Sequence, residues 1–184
     1  QAPRYNRAET AIKNFLASGA SSYDDLEGKV EEWATEDCDT DFKTNQNRLC
    51  IDAVEAFMNL VDCSELEFEG MSFDVTKNDV PKMDIAGLEV SVRPELTTNG
   101  EYRKKTVNGA VKLYFAKNHP LTDESGPLVA TAVHQFLEET LVRENPSLKH
   151  VQVIDVFRGT VYSAPKSNKA RRKRLQDSAK DILA

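Results

Sequence analysis

Apolar residues recur along this chain first at the spacing of a helix, then of a strand, and then of a helix again. Ala8, Ala11, Ile12, Phe15 and Leu16 mark one face of a first helix, which Ser18-Gly19 ends. Ser22 followed by Asp24 and Asp25 opens a second, because a hydroxyl and acids suit a helix N-terminus. Leu26, Val30, Trp33 and Ala34 form its stripe. A third is predicted from Asn45 to Asp62, with Leu49, Ala53, Phe57, Leu60 and Val61 on its apolar face.

From Leu66 the period falls to two. Leu66, Phe68, Met71, Phe73 and Val75 predict a first strand, with a slip at Gly70 that reads as a bulge or tight hairpin. Ile85, Leu88, Val90 and Val92 predict a second strand that Pro94 ends. Asn99-Gly100 and Asn108-Gly109 are turn signals, and Val111, Leu113 and Phe115 form a third strand. Leu128, Val129, Ala132, Val133, Phe136, Leu137 and Leu141 then mark the apolar face of an amphipathic helix of about 17 residues. Val151, Val153 and Val156 then lead across a two-residue turn at Arg158-Gly159 into Thr160-Val161-Tyr162. The last helix starts near Ser167-Asn168, with Leu175, Ser178, Ala179, Ile182 and Leu183 as its buried side.

Antiparallel strands followed by a crossover helix and a further strand make an α+β layout. The expected core order is αβββαβ, with N-terminal helices before it and a C-terminal helix after it. Residues 1–44 are expected to form a helical subdomain and 45–184 the α+β core with the basic helix.

With 184 residues and a hydrophobic fraction of 40%, the chain can bury a core. Its longest apolar runs are far shorter than the roughly 20 residues of a membrane span, so no membrane partner is expected. Nothing near Gln1 reads as a signal peptide, and a cytoplasmic location is expected. Cys38, Cys50 and Cys63 lack the close spacing of a zinc knuckle or redox dithiol, and they read as free thiols in a reducing compartment.

Charge is polarised. Residues 1–64 carry 6 Lys and Arg against 13 Asp and Glu, whereas residues 165–184 carry 7 against 2. Within that basic end lie Lys166, Lys169, Arg171, Arg172, Lys173 and Arg174. Cations at the start of a helix oppose its dipole, so helix stability does not account for them. Phosphate binding does, which makes these six the candidate nucleic-acid contacts. An acidic protein partner is the alternative.

Other chemistry is poorly represented. Asp37, Asp39 and Asp41 have the spacing that opens a calcium loop, but Phe42 and Arg48 stand where that loop needs glycine and a carboxylate. His119, His134 and His150 have no partner at metal-ligand spacing. Phosphate-binding loops, dinucleotide fingerprints and nucleophile elbows are missing, so no small-molecule cofactor is implied.

The order of elements over residues 45–157 resembles the core of the PD-(D/E)xK nuclease-like superfamily. In that family an acid near the second core strand, and an acid, one residue and a lysine on the third, hold Mg²⁺ that activates water. Arg93-Pro94-Glu95 resembles the first half of that motif, with Asp84 and Glu89 as further acids nearby. The segment Val111–Lys117 contributes Lys112 and Lys117 but no acid, and Tyr114 stands where the second carboxylate is expected. A helical glutamate, Glu55, would complete the set. The resemblance thus implies Glu55, Glu95, Lys112 and Lys117 as catalytic candidates, and Mg²⁺ only if the chain is an active nuclease. The segment Val161–Pro165 is similar to a pattern in bacterial proteins, which implies no activity. The expectation is a nucleic-acid-associated domain on a nuclease-like scaffold that does not catalyse. A protein-interaction role for the basic helix and an Mg²⁺-dependent nuclease with a displaced site are the alternatives.

Overall fold

The computed structural model describes residues 4–20, 22–63, 66, 68, 70–77 and 79–184. Three helices come first, α1 (Asn6–Ala17), α2 (Asp24–Thr35) and α3 (Asp41–Cys63). Strand β1 (Met71–Val75) follows, then the short β2 (Met83–Ile85) and β3 (Leu88–Val90). Next come β4 (Leu96–Tyr102), β5 (Lys105–Tyr114), α4 (Ser125–Gln135), one π-helical turn (Phe136–Thr140), β6 (Pro146–Asp155), β7 (Thr160–Ser163) and α5 (Lys169–Leu183). The fold is α+β, as the periodicity predicts.

Five strands form the main sheet in the order β1-β4-β5-β6-β7. All neighbours are antiparallel except β5 and β6, which run parallel because α4 carries the chain back across the sheet. With α3 ahead of β1, the path α3-β1-β4-β5-α4-β6 has the expected αβββαβ order.

Alternation along β5 and β6 divides the core between two faces. Val111, Leu113 and Ile154 pack with Ala8, Ile12, Leu16, Leu26, Trp33 and Phe57 of α1–α3. Ala110, Val151 and Val153 point the other way, onto Ala130, Val133 and Leu137 of the α4 region. Helices α1 and α2 therefore share a core with the sheet, and α3 runs continuously past residue 44. The small β2–β3 hairpin closes the α4 side, where Met83 and Ile85 meet Phe136 and Ala179.

Several sequence expectations are corrected. The predicted second strand is in fact the β2–β3 hairpin, turned at Ala86-Gly87 with φ of +53° and +90°. The second strand of the main sheet is the polar β4, where Asn99-Gly100 lies inside a strand. Asn108-Gly109 likewise lies inside β5. Their glycines answer a demand for space, not for a turn: a Cβ on Gly109 would overlap the backbone carbonyl of His150, and one on Gly100 would overlap Gly70 and Met71. The actual β4–β5 turn is Arg103-Lys104, both at positive φ (52° and 62°), the geometry of a two-residue hairpin that favours Asn-Gly.

Smaller differences have equally local causes. Helix α3 starts at Asp41, before the first residue of its apolar stripe. Part of the expected first strand, residues 67 and 69, falls outside the described residues; Leu66 and Phe68 pack on the core without joining the ladder. The β6–β7 turn spans four residues, because the Asp155 carboxylate holds Arg158 N–H at 3.1 Å and its carbonyl holds Gly159 N–H at 2.9 Å. In α5 only Ala179 is buried, whereas Ile182 and Leu183, expected on its buried side, are exposed. Among the described residues no helix is long and apolar enough to cross a membrane.

Candidate functional site

Where β4 begins, its neighbour β5 is left with a backbone donor that strand pairing does not reach. Pairing starts at Leu96 opposite Val111. Pro94, just before, has no N–H with which to continue a ladder. The Glu95 side chain fills the gap: one carboxylate oxygen accepts Leu113 N–H at 2.5 Å and the other accepts Lys112 Nζ at 2.5 Å. Glu95 also anchors the strand start through its backbone, donating to Val111 O at 2.9 Å and accepting Thr76 N–H at 3.0 Å.

Glu95 is only 5% exposed, while the Lys112 side chain keeps 30% of its surface. The pair therefore has a buried carboxylate and an ammonium that reaches solvent. Two openings meet there. One, of about 550 Å³, is walled by Val92, Arg93, Leu128, Val129, Ala132, Val133 and Leu175. The other, of about 660 Å³, is walled by Arg4, Tyr5, Asn6, Tyr114 and Phe115. Glu9 of α1, Glu95 and Lys112 line both.

Burial pushes the Glu95 carboxyl above its ordinary value, and the nearby Glu9 charge adds to this. The Lys112 ammonium and the Leu113 amide oppose the shift without cancelling it. A titratable group displaced by burial and a specific charge partner, set in a cleft, is the usual physical signature of a functional site.

Of the sequence candidates, Glu95 and Lys112 converge. Glu55 is exposed on α3 and lines neither opening. Lys117 instead pairs with Asp52 at 3.0 Å and lies 5.4 Å from the centre of the Phe157 ring. Asp84 accepts Gly87 N–H in the β2–β3 turn, and Glu89 pairs with Lys82. Tyr114 donates its hydroxyl to His119 O at 2.7 Å. Counting back from the engaged lysine, Lys112, puts buried Ala110 at the acid position of an acid-x-lysine motif. Glu9 was not legible as a site residue, because it sits one position beyond Ala8 on a helix whose pattern says only which side is buried.

The basic C-terminal run is substantially neutralised within the fold. Arg172 bonds Glu138, reaches Glu139 at 3.4 Å, and donates to His134 Nδ1 at 3.1 Å. Lys173 pairs with Asp177 at 2.6 Å and Arg174 with Glu124. Arg171 approaches Ser167 O, and Lys166 and Lys169 are exposed. Since His134 Nε2 faces Pro146 O at 3.1 Å and must donate, Nδ1 is left to accept from Arg172; this assigns a neutral imidazole. Burial holds its pKa below the ordinary value.

The implied Mg²⁺ can be tested against these donors. Among the described residues no group of three or more His, Cys, Asp or Glu side chains is arranged to hold a metal. Glu9 and Glu95 leave two carboxylates on the cleft. Mg²⁺ commonly takes one or two carboxylates and completes its shell with water and substrate phosphate. The donor set thus fits a metal that arrives with a phosphodiester better than a resident one. Glu9, which is paired with Lys13 at 3.2 Å, and Glu95, whose two oxygens already accept Lys112 and Leu113, are the carboxylates that would hold it, and bound there it would supply Lewis-acid polarisation of a phosphoryl oxygen.

Comparison with family models, curated proteins and solved structures finds no match to this chain.

Proposed function

We propose that this chain acts on nucleic acid as a metal-dependent phosphodiester hydrolase, with the cleft around Glu95 and Lys112 as its site. The buried Glu95–Lys112 pair, opening onto two cavities at the start of β4, carries the reading. The αβββαβ path supports it.

Each residue has a role suited to that chemistry. Lys112 presents a partly exposed ammonium that can stabilise charge building on a phosphoryl oxygen, and Glu95 fixes its direction. Glu9 lines the same cleft with a second carboxylate, which is paired with Lys13 at 3.2 Å. This reading retains the nucleic-acid partner expected from the sequence and moves the site from the C-terminal helix to the cleft. It also includes a cytoplasmic setting, which the free thiols Cys38 and Cys50 support.

The test is incubation of the protein with plasmid DNA, single-stranded DNA and RNA, with Mg²⁺ or Mn²⁺ and with chelator. Metal-dependent cleavage that Glu95→Gln and Lys112→Met both abolish, with folding intact by circular dichroism, is expected. Failure of the parent protein to cut any of these substrates with either metal would sink the reading.

A further inference from the structure

Arg172, Lys173 and Arg174 are spoken for by acids of the fold. A different set of cations is not. Arg103, Lys104 and Lys105 are consecutive, exposed, and meet no carboxylate among the described residues. They occupy the β4–β5 turn, at the opposite end of those strands from Glu95 and Lys112.

Tertiary structure adds a fourth cation. Lys149 of β6 lies with Nζ 4.9 Å from the centre of the Tyr102 ring, and the Arg103 guanidinium lies 5.1 Å from the same ring. Tyr102 thereby gathers cations from two separate strand segments, by attraction of each to its π face. The His150 ring meets Tyr102 edge-on at 5.1 Å. Burial and the Lys149 charge hold the His150 pKa down, so this ring adds no charge of its own at neutral pH. Glu101 is the single acid within Glu101–Lys105.

The turn itself is costly to build this way. Both central residues have positive φ, where Asn-Gly is favoured and long cationic side chains carry steric strain. Among the described residues no ion pair accounts for the two strained cations, Arg103 and Lys104, or for Lys105 beside them.

We propose that the β4–β5 turn with Lys149 is a phosphate-backbone contact for nucleic acid, binding without sequence preference. The inference extends the proposed function to how its substrate is held, but rests on residues far from the cleft. Three consecutive exposed cations suit a repeating phosphate chain, and placement of Arg103 and Lys149 on Tyr102 lowers the entropy lost on binding.

The experiment is fluorescence anisotropy with a labelled duplex and a labelled single strand of about 20 nucleotides, in chelator, across a salt series. The parent protein is compared with Arg103→Gln/Lys104→Gln/Lys105→Gln, with Lys149→Gln, and with Lys166→Gln/Lys169→Gln. The triple variant is expected to weaken binding about tenfold or more at low salt and to flatten the salt dependence by two to three contacts, roughly 0.9 in slope for each phosphate on duplex. Lys149→Gln should shift both in the same direction by about one contact. Unchanged affinity in the triple variant, or an equal loss in the Lys166/Lys169 variant, overturns the proposal. So does turn-dependent binding to anionic vesicles without binding to either oligonucleotide. Because chelator stops metal-dependent cleavage, a failed nuclease assay leaves this result standing, and lost binding here does not decide the cleavage assay.

Discussion

The Lys112 ammonium lies 2.5 Å from the Glu95 carboxylate, bridging β5 to the start of β4, and the same carboxylate accepts the next backbone amide, Leu113 N–H. One buried side chain therefore both completes a strand edge and aims a lysine into a cleft. Structure and chemistry depend on the same group, so its variants separate the two only if charge and shape are changed independently.

Lys112→Met is expected to cost about 3 kcal/mol at neutral pH, the low end for breaking a buried pair, since Lys112 is partly exposed. Because the folded Glu95 pKa is raised, the stability linked to it is fully present below its reference value of 4.5 and is lost as pH rises through the folded value. Urea unfolding over a pH series should show that decline in the parent protein, a larger one in Lys112→Met, and none from this group in Glu95→Gln. A pH profile unaltered by Glu95→Gln would contradict the assignment.

For His134 the sign is opposite. Its folded pKa lies below its reference value of 6.5, so its contribution is present above 6.5 and lost as pH falls through the depressed folded value. Protonation would also turn Nδ1 from an acceptor of the Arg172 bond into a donor facing a cation, with Glu138 as the nearby offsetting charge at 4.0 Å. Hydrogen exchange in α5, corrected for intrinsic rate, should accelerate on acidification. In Arg172→Met the α5 amides should exchange faster already at neutral pH.

Gly109→Ala should destabilise by about 1–3 kcal/mol, the range for overpacking, because the atom a Cβ would meet is the rigid backbone carbonyl of His150. Thermal unfolding measures it. Gly159→Ala, where no atom lies within 4 Å but φ is +66°, should lose only the smaller backbone term of about 1 kcal/mol.

Replacing Arg103-Lys104 by Asn-Gly should raise stability by about 1 kcal/mol by relieving two positive-φ residues, less what the Arg103–Tyr102 contact contributes. The same change should weaken oligonucleotide binding. A melting temperature that falls instead would show that the cation–aromatic contact outweighs the backbone strain.

Glu95 and Lys112 were named in the sequence through the resemblance of Arg93-Pro94-Glu95 and the Val111–Lys117 segment to the nuclease-like motif, and the fold brings the two together. Glu55 and Lys117 looked equally suitable, yet the fold sends one to solvent and the other to Asp52. Glu9 carried no signal, since helix periodicity distinguishes buried from exposed and not which cleft an edge position borders.

The α+β class, the N-terminal helices, the crossover helix and the polarised charge follow from the sequence alone, because periodicity and composition are local properties. Which Asn-Gly pairs turn, which cations stay available and which carboxylate meets Lys112 do not. Asn99-Gly100 and Asn108-Gly109 have the composition of turns, but close approach of a neighbouring backbone places them within strands. The basic helix has the composition of a phosphate-binding surface, but Glu138 and Glu139 of the π-helical turn and Glu124, just before α4, occupy Arg172 and Arg174. Those outcomes depend on residues distant in sequence and adjacent in space, so only the tertiary structure decides them.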